Sequence, residues 1–476
     1  MTRPLTAGLD LGSTNIKLLV IDPDGRELVV AQQACPWRPA PGNGTEMDAP
    51  ALAHTVRTLF EQATAQLSAG GLTEPVEAIA VSGMGESGFL APTAAAVPVA
   101  PAIAWFDPRG DAQVAAMPAA LRAEFAARTG LPLGVQLSVA KLLLLRDSGT
   151  ELRGRQWLNL PEYVAAALGG RRAAEYSLAS RTGLLDQDTG RAWPQLLAHL
   201  GVDDDFLPPL VAAGTDLGPA TAGWLPDVFR GARITVAGHD HLVAASAGGA
   251  RADGRYYDSF GTAEVLVRIL DEPLDAAART RLTDYLINYV RHVEPGQYVL
   301  VAGIKTGLLM RRVLQVAGIF DRSGRDRLDE QVLALPVGGA LPPDAITVHG
   351  ARNDDGVLSM RIRSDGVSPA ELFAAVLRHG NAELARLIEV MDRELPPARA
   401  TVLAGGWASM RSVQRARAEV LPDLTASTRA QDTAYGAAVV ARRLLSTASS
   451  APPVRSTSQE MPQCHSPRSS SARPPD

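Results

Sequence analysis

Cysteine is almost missing. Cys35 and Cys464 are the only two in 476 residues, so neither a disulfide framework nor a cysteine metal site can be assembled, which points to a reducing compartment. Long apolar runs are missing too: no stretch of about 18 apolar residues occurs. The opening MTRPLTAGLDLGSTN lacks a charged segment followed by an apolar core. Export and membrane spanning are therefore not expected, and the chain reads as cytoplasmic. One-sided charge is also missing, since a net charge of −5 leaves no electrostatic footprint for nucleic acid or an acidic membrane. With 46% hydrophobic and 20% charged residues the chain is globular with an ample core, its length predicts two domains, and a small molecule is the default partner.

From Thr6 to Val30 the pattern is strand, glycine-containing turn, strand: AGLDLGSTNIKLLVID, the turn PDG, then RELVV. The pattern returns at YYDSFGTAEVLVRILDEP, where Gly261 answers Gly12, Thr262 answers Ser13 and Asp271 answers Asp22, at a constant offset of 249 residues. Between the copies, Leu52 to Gln66 and Val139 to Asp147 have helical periodicity and VEAIAVSG reads as a strand. After the second copy, GQYVLVAG and RATVLAGG read as strands, and Thr306 to Val316, Pro369 to Met391 and Thr433 to Ser446 as helices. The alternation predicts an α/β fold of two related domains, 1–248 and 249–445. Residues 446–476 hold nine Ser and six Pro and almost no large apolar side chain. Such a segment cannot offset an ordering cost of about 1–2 kcal/mol per residue and is predicted to be a disordered tail.

Asp10 ends a strand and precedes Gly12 and the small polar Ser13, Thr14 and Asn15. Glycine admits close backbone approach, and successive N–H groups with these side chains can hold phosphate oxygens, with Asp10 binding the accompanying Mg²⁺ directly or through water. A hairpin turn without a ligand favours the same residues. The second copy, at Phe260-Gly261-Thr262, tilts the reading toward two hairpins clasping one nucleotide between two domains. AIAWFDPRG sets Trp105, Asp107 and Arg109 at alternate positions. An indole, a carboxylate and a guanidinium suit a polyhydroxylated ligand, and an exposed turn pair is the alternative. In TVLAGGWASMRS, Gly405 and Gly406 either let an adenine ring lie against the backbone or make a tight strand-to-helix turn. TVAGHDHLVAASAGGA puts Asp240 between His239 and His241 at a strand-to-helix junction, which is compatible with a metal site, a proton-transfer group or a helix cap. A metal needs at least three convergent ligands, and neighbours on such a turn are expected to point apart. A cap contributes about 1 kcal/mol and does no chemistry.

Two motifs mislead. GMGESG satisfies G-x-G-x-x-G, but Pro92, Pro98 and Pro101 follow and forbid the helix that a dinucleotide site requires. AGIKTG around Lys305 has Ile304 where a P-loop needs glycine.

Taken in order, these motifs resemble the FGGY family of carbohydrate kinases, over about residues 5 to 445. GLDLGSTNIKLLVID resembles the first phosphate motif, AIAWFDPRG the W-x-D-x-R substrate motif, and AGHDHLVAASAGGA the segment of the catalytic aspartate. SFGTAEVLVR resembles the second phosphate motif, and LAGGWASMRSVQRARAEVL and DTAYGAAVVARRLL the adenosine motif and closing helix. AEYSLAS is similar to the family's D-x-S-x-A-S segment with Glu175 where aspartate is usual, and VSGMGESGF to its sugar-contacting segment with Gly85 and Glu86 at the contact positions. The adenosine motif departs from the family's Gly-Ala-Arg-Ser-Pro run, having Trp407 and Met410, and Ala418-Glu419 stands where Ala-Asp is common.

The resemblance implies two actin-like (ribonuclease H-like) domains with a nucleotide and sugar cleft between them. It implies ATP and Mg²⁺ as cofactors and transfer of a phosphoryl group to a hydroxyl of a small sugar, sugar acid or polyol. In that reading Asp240 is the base, seated at a helix start, and Asp10 positions Mg²⁺. Gly12, Ser13, Thr14, Asn15, Lys17, Gly261, Thr262, Gly405, Gly406 and Ser409 hold the nucleotide. Gly85, Glu86, Trp105, Asp107, Arg109, His239 and His241 line the acceptor side. Neither nucleic acid nor membrane is expected as a partner, and a homodimer is left open. Xylulose-like ketoses, gluconate-like acids and small polyols are the candidate acceptors; Glu86 weighs against an anionic one, because facing carboxylates repel in a partly buried cleft. The rival class is a non-catalytic actin-like nucleotide or sugar sensor, disfavoured because both Asp10 and Asp240 are retained.

Overall fold

The computed structural model describes residues 4–93, 97–261, 263–336, 341–342, 344–350, 358–427 and 431–449. Leu5–Leu11 is buried at every position, as an apolar run without alternation is at the centre of a sheet. It pairs antiparallel with Asn15–Ile21, which pairs antiparallel with Glu27–Ala34. That last strand alternates buried and exposed residues, as an edge strand does. On the other side Val76–Gly83 and then Arg233–His239 join in parallel. The helix Ala49–Ala69 packs with this sheet through Leu52, Val56, Leu59, Phe60, Ala63 and Leu67, which fall on one helical face.

The second half repeats the plan. Arg255–Phe260 and Glu264–Leu270 form the second hairpin, Tyr298–Ile304 and Ile287–Arg291 extend it antiparallel, and Ala400–Ala404 and Leu424–Ala426 join in parallel on the other side. Leaving aside the edge strand Ile287–Arg291, both sheets consist of a hairpin, a third antiparallel strand and two parallel strands in the same order. The repeat is wider than the two hairpins that signal it in the sequence. It is also less regular across the turns: Gly12–Asn15 separate the paired Leu11 and Ile16, but only Gly261–Ala263 separate Phe260 and Glu264. After GMGESG the chain enters the strand Gly88–Pro92 rather than a helix, as the prolines require.

The helix Asp432–Ser449 falls in the second half by chain order but packs on the first sheet. Thr6 Oγ1 donates to the Ala438 carbonyl at 3.2 Å, and Leu19 and Ile21 pack with Ala434 and Ala438. Small residues explain the close fit. Gly8 lies directly under the helix backbone, and Gly436 lies against Val243. The helix runs to Ser449, so the first residues of the expected tail are helical; the remainder, from 450 onward, lies outside the described residues. A Cβ on Gly8 would meet the Ala434 carbonyl oxygen at 2.0 Å and the Ala438 nitrogen at 2.5 Å. Overpacking of this kind costs about 1–3 kcal/mol or more. Gly8→Val is therefore expected to lower the melting temperature clearly, and an unchanged melt would contradict this placement of the last helix.

Candidate active site

Strand register gathers the site. Leu5–Leu11, Val76–Gly83 and Arg233–His239 run parallel, with Asp10 beside Ser82, Ser82 beside Gly238, and His239 beside Gly83. Their carboxyl ends form one edge, where open parallel sheets bind ligands. Ser82 Oγ donates to the Gly238 carbonyl at 2.9 Å, and the Met84 N–H donates to the Leu11 carbonyl at 3.1 Å, which ties the three ends together. After a register shift between Val236 and Gly238 the strand pairs on to His239, and Asp240 opens the helix Asp240–Ala247 with His239 as its N-cap.

Asp240 Oδ1 accepts the His241 backbone N–H at 2.7 Å. His239 Nδ1 lies 3.5 Å and His241 Nε2 3.9 Å from that same oxygen, with the ring centres 5.5 Å apart. The two histidines were expected to point apart. They converge instead because the extended His239 passes straight into the first helical turn. Among the described residues no three His, Cys, Asp or Glu side chains are grouped to hold a metal. Burial pushes the Asp240 carboxyl upward, but His241, His239, the His241 amide and Arg181 outweigh it and hold the group below the usual carboxylate range. Burial also drives His239 down to about 3. That ring is neutral near pH 7, so ionisation of Asp240 then rests on the other partners and on the helix N-terminus.

Asp10 is 8% exposed and faces Lys17 across the hairpin. Burial and then the Asp240 charge push its carboxyl up to about 7, against the pull of Lys17. Its Oδ1 is buried and accepts no hydrogen bond. A carboxylate oxygen without a donor, near a second carboxylate, fits a hard divalent cation such as Mg²⁺. In the turn beyond, Gly12, Ser13 and Asn15 are half-buried and Thr14 is exposed, and Trp37 Nε1 fastens the turn by donating to the Ser13 carbonyl at 3.0 Å.

The second sheet presents a matching edge. Ser259 lies beside Ala404, the Trp407 N–H donates to the Phe260 carbonyl at 3.1 Å, and the Gly261 N–H donates to the Ala263 carbonyl at 2.8 Å. Gly405 has φ 93°, and a Cβ there would meet the Phe260 oxygen at 2.5 Å, so the turn requires glycine at this position. Beside it, Gly406 has open space where a side chain would stand, and Ser409 is exposed. Thr262 lies outside the described residues. Beneath the turn the fully buried Arg417 donates to both Glu264 oxygens, Nη2 at 2.7 Å, and lies 4.6 Å over the Phe260 ring.

The W-x-D-x-R stretch is a closed clamp. Asp107 is buried; its Oδ1 accepts the Arg109 N–H at 2.9 Å, and its Oδ2 accepts the Thr45 N–H and Arg109 Nη2, both at 2.7 Å. Arg109 Nη2 also reaches Glu46 at 3.0 Å. Asp107 is thus no exposed turn residue, and both of its oxygens are engaged within the protein. Trp105 is half-buried and meets Phe106 edge-on, with ring centres 5.5 Å apart.

Three contributors escaped the sequence reading. Lys141 is fully buried, donates to the Asp107 carbonyl at 2.8 Å, and is brought down to about 8 by burial; its signal was a lone charge inside the apolar run VAKLLLL. Arg181 pairs with Glu86, 95 residues away, Nε to Oε1 at 2.6 Å. Ser177 Oγ accepts the His239 N–H at 3.0 Å and donates to Glu175 Oε2 at 2.5 Å. Glu175 in turn caps its own helix through the Ser177 and Leu178 N–H groups. The Glu175–Ser177 pair therefore positions the residue from which Asp240 springs.

Two outcomes are expected. Ser177→Ala frees the His239 N–H and should slow turnover while leaving the KM for ATP unchanged, with Ser177→Thr restoring much of the rate; an unaltered Ser177→Ala rate would contradict the positioning role. The Asp10 carboxyl titrates near 3.8 when unfolded and about 7 when folded. Its contribution to stability is intact below about pH 4 and is lost as pH rises through 7. Asp10→Asn, free of Mg²⁺ and nucleotide, should therefore melt higher than the parent at pH 8, with the gap closing toward pH 4. No gain at pH 8 would refute the burial argument.

The FGGY family of carbohydrate kinases, N-terminal domain, matches residues 5–246. The chain is 29% identical over 236 residues to a glycerol kinase of Nocardia farcinica, covering 48% of the chain and 46% of that protein. It thus spans about half the length of the glycerol kinases it matches, 46% and 54% for two of them. It is 26% identical over 470 residues to a xylulose kinase of Streptomyces rubiginosus, covering 92% of the chain and 90% of that protein. The crystal structure of a gluconate kinase from Lactobacillus acidophilus superposes with a TM-score of 0.80 at 17% identity, over 94% of this chain and 90% of that one. The family match covers more than half of the chain, and the two paired sheets have the fold of such sugar kinases: the chain belongs to the FGGY family of carbohydrate kinases.

Proposed function

We propose that this protein transfers the γ-phosphoryl group of ATP to a hydroxyl of a small sugar, sugar acid or polyol, within a cleft between the domain of the first sheet, which the last helix joins, and that of the second. The observation that carries the proposal is the juxtaposition of Asp10 and Asp240 on one sheet edge, in opposite electrostatic conditions. Family members named for glycerol, xylulose and gluconate support the acceptor class.

Phosphoryl transfer asks the protein to align reactants, to neutralise charge on the γ-phosphate and to relieve the acceptor hydroxyl of its proton. Asp240 is held ionised and is the base. His239 and His241 flank it on the acceptor side with Gly85 and Glu86, while the Asp107–Arg109 clamp fixes the loop that carries Trp105. The turn Gly12–Asn15 with Lys17 and the turn Gly261–Thr262 hold phosphates from opposite domains, and Gly405, Gly406 and Ser409 receive the adenosine. Asp10 would hold Mg²⁺, which supplies charge neutralisation on the phosphates. Alignment contributes about 7–11 kcal/mol to such a reaction and a base about 10²–10⁴-fold.

The test is turnover with glycerol, D-xylulose and gluconate. Asp240→Asn should lose about 10²–10⁴-fold in kcat while the KM for ATP stays the same; a near-normal rate would remove Asp240 as the base. Asp10→Ala should require more Mg²⁺ for half-maximal rate, and an unaltered Mg²⁺ dependence would remove it from the metal site. Binding of an acceptor with no ATP consumption in the parent protein would favour a sensor instead.

A further inference from the structure

Glu86 has a left-handed backbone, φ 62°, which is uncommon for a residue with a side chain, and its carboxylate is 8% exposed. There it meets Arg181 at the end of the helix Tyr176–Arg181; Nε and Nη2 both engage Glu86 Oε1. Two polar atoms of the pair are left over. Glu86 Oε2 has no partner among the described residues, and Arg181 Nη1 is buried without one. An unmatched charged donor held away from water is unfavourable, so a group that supplies an acceptor there gains affinity.

Gly85 makes the arrangement possible. A Cβ at that position would meet Arg181 Cβ and Cγ at 2.9 Å and His239 Cδ2 at 3.0 Å, so both side chains lie over its bare Cα. The pair is thereby seated beside His239, the residue that leads into Asp240. Arg181 is among the charges that keep Asp240 ionised, and Asp240 in turn acts on Glu86.

We infer that Arg181 contacts the acceptor. Its Nη1 donates to, and Glu86 Oε2 accepts from, hydroxyls of a neutral polyhydroxylated acceptor, next to the hydroxyl that Asp240 deprotonates. The inference rests on the kinase reading and narrows its substrate class. An ionised carboxylate oxygen can only accept, so the group facing Oε2 must donate: a hydroxyl can and a carboxylate cannot. Arg181 already balances the Glu86 charge, so the pair offers no net positive charge to draw an acid. The preference for a neutral acceptor thus comes from hydrogen-bond polarity and not from an isolated negative Glu86. Among the described residues the Arg181 side chain bonds to Glu86 and to neither phosphate turn, so the nucleotide side is expected to be unaffected.

Initial rates with glycerol, D-xylulose and gluconate at saturating ATP and Mg²⁺ test this. Arg181→Met should raise the KM of the phosphorylated acceptor by about tenfold or more, with the KM for ATP within about twofold of the parent. Arg181→Lys should recover only part of the loss, since one ammonium cannot serve Glu86 and the acceptor as a planar fork does. Gly85→Ala, which displaces Arg181 without deleting it, should shift the acceptor KM in the same direction and provides the test if Arg181→Met does not fold. An acceptor KM unchanged in both Arg181→Met and Gly85→Ala, or an ATP KM that rises in step, overturns the Arg181 assignment alone. Gluconate as the preferred acceptor overturns the neutral-acceptor half. A parent protein that phosphorylates none of the three removes the kinase reading and the Arg181 role together.

Discussion

The structure depends on the parallel register of three strands. Because Ser82 lies between Asp10 on one side and Gly238 on the other, the carboxyl ends of Leu5–Leu11, Val76–Gly83 and Arg233–His239 finish together. Residues that are far apart in the chain thereby become neighbours at one edge. A slip of one residue in either pairing would turn each side chain to the opposite face and dismantle the edge. The Ser82 and Met84 hydrogen bonds reinforce that register at the carboxyl ends of the strands. The second sheet repeats the device, with the Trp407 N–H bound to the Phe260 carbonyl.

Charge is organised around this edge. Asp10 is buried and Asp240 half-buried, and Asp240 is held down while Asp10 rises to about 7. The difference lies in partners. Asp240 has an amide, two histidine rings and Arg181 around it, whereas Asp10 has an unpartnered oxygen, Lys17 and the repulsion of Asp240. Such a pairing of unlike environments separates a proton acceptor from a cation ligand. Behind them, Ser177 links Glu175 to the His239 N–H, and Arg181 pairs with Glu86.

Much of the fold was legible in the sequence because its signals are local. The two hairpins, the strand VEAIAVSG and the helix Thr306–Val316 follow from periodicity and turn residues within short windows. Asp10, Asp240 and the glycines of both turns were likewise visible as motifs. Hidden were the features that only strand register and packing decide. The shorter second turn breaks the apparent constancy of the repeat, and the last helix returns to the first sheet through small residues that a chain-order reading cannot assign. Arg181 has no local signal at all, since its meaning comes from Glu86 across 95 residues. The convergence of His239 and His241 depends on a helix beginning at Asp240 itself, a boundary too fine for sequence patterns.

The most direct measurement is the identity of the product. Phosphorus NMR of the protein incubated with ATP, Mg²⁺ and glycerol or D-xylulose should show ADP accumulating in step with a new phosphate monoester of the acceptor. ADP released with inorganic phosphate alone, or ATP left intact beside a bound acceptor, would contradict direct transfer from ATP to a hydroxyl at the Asp10–Asp240 edge.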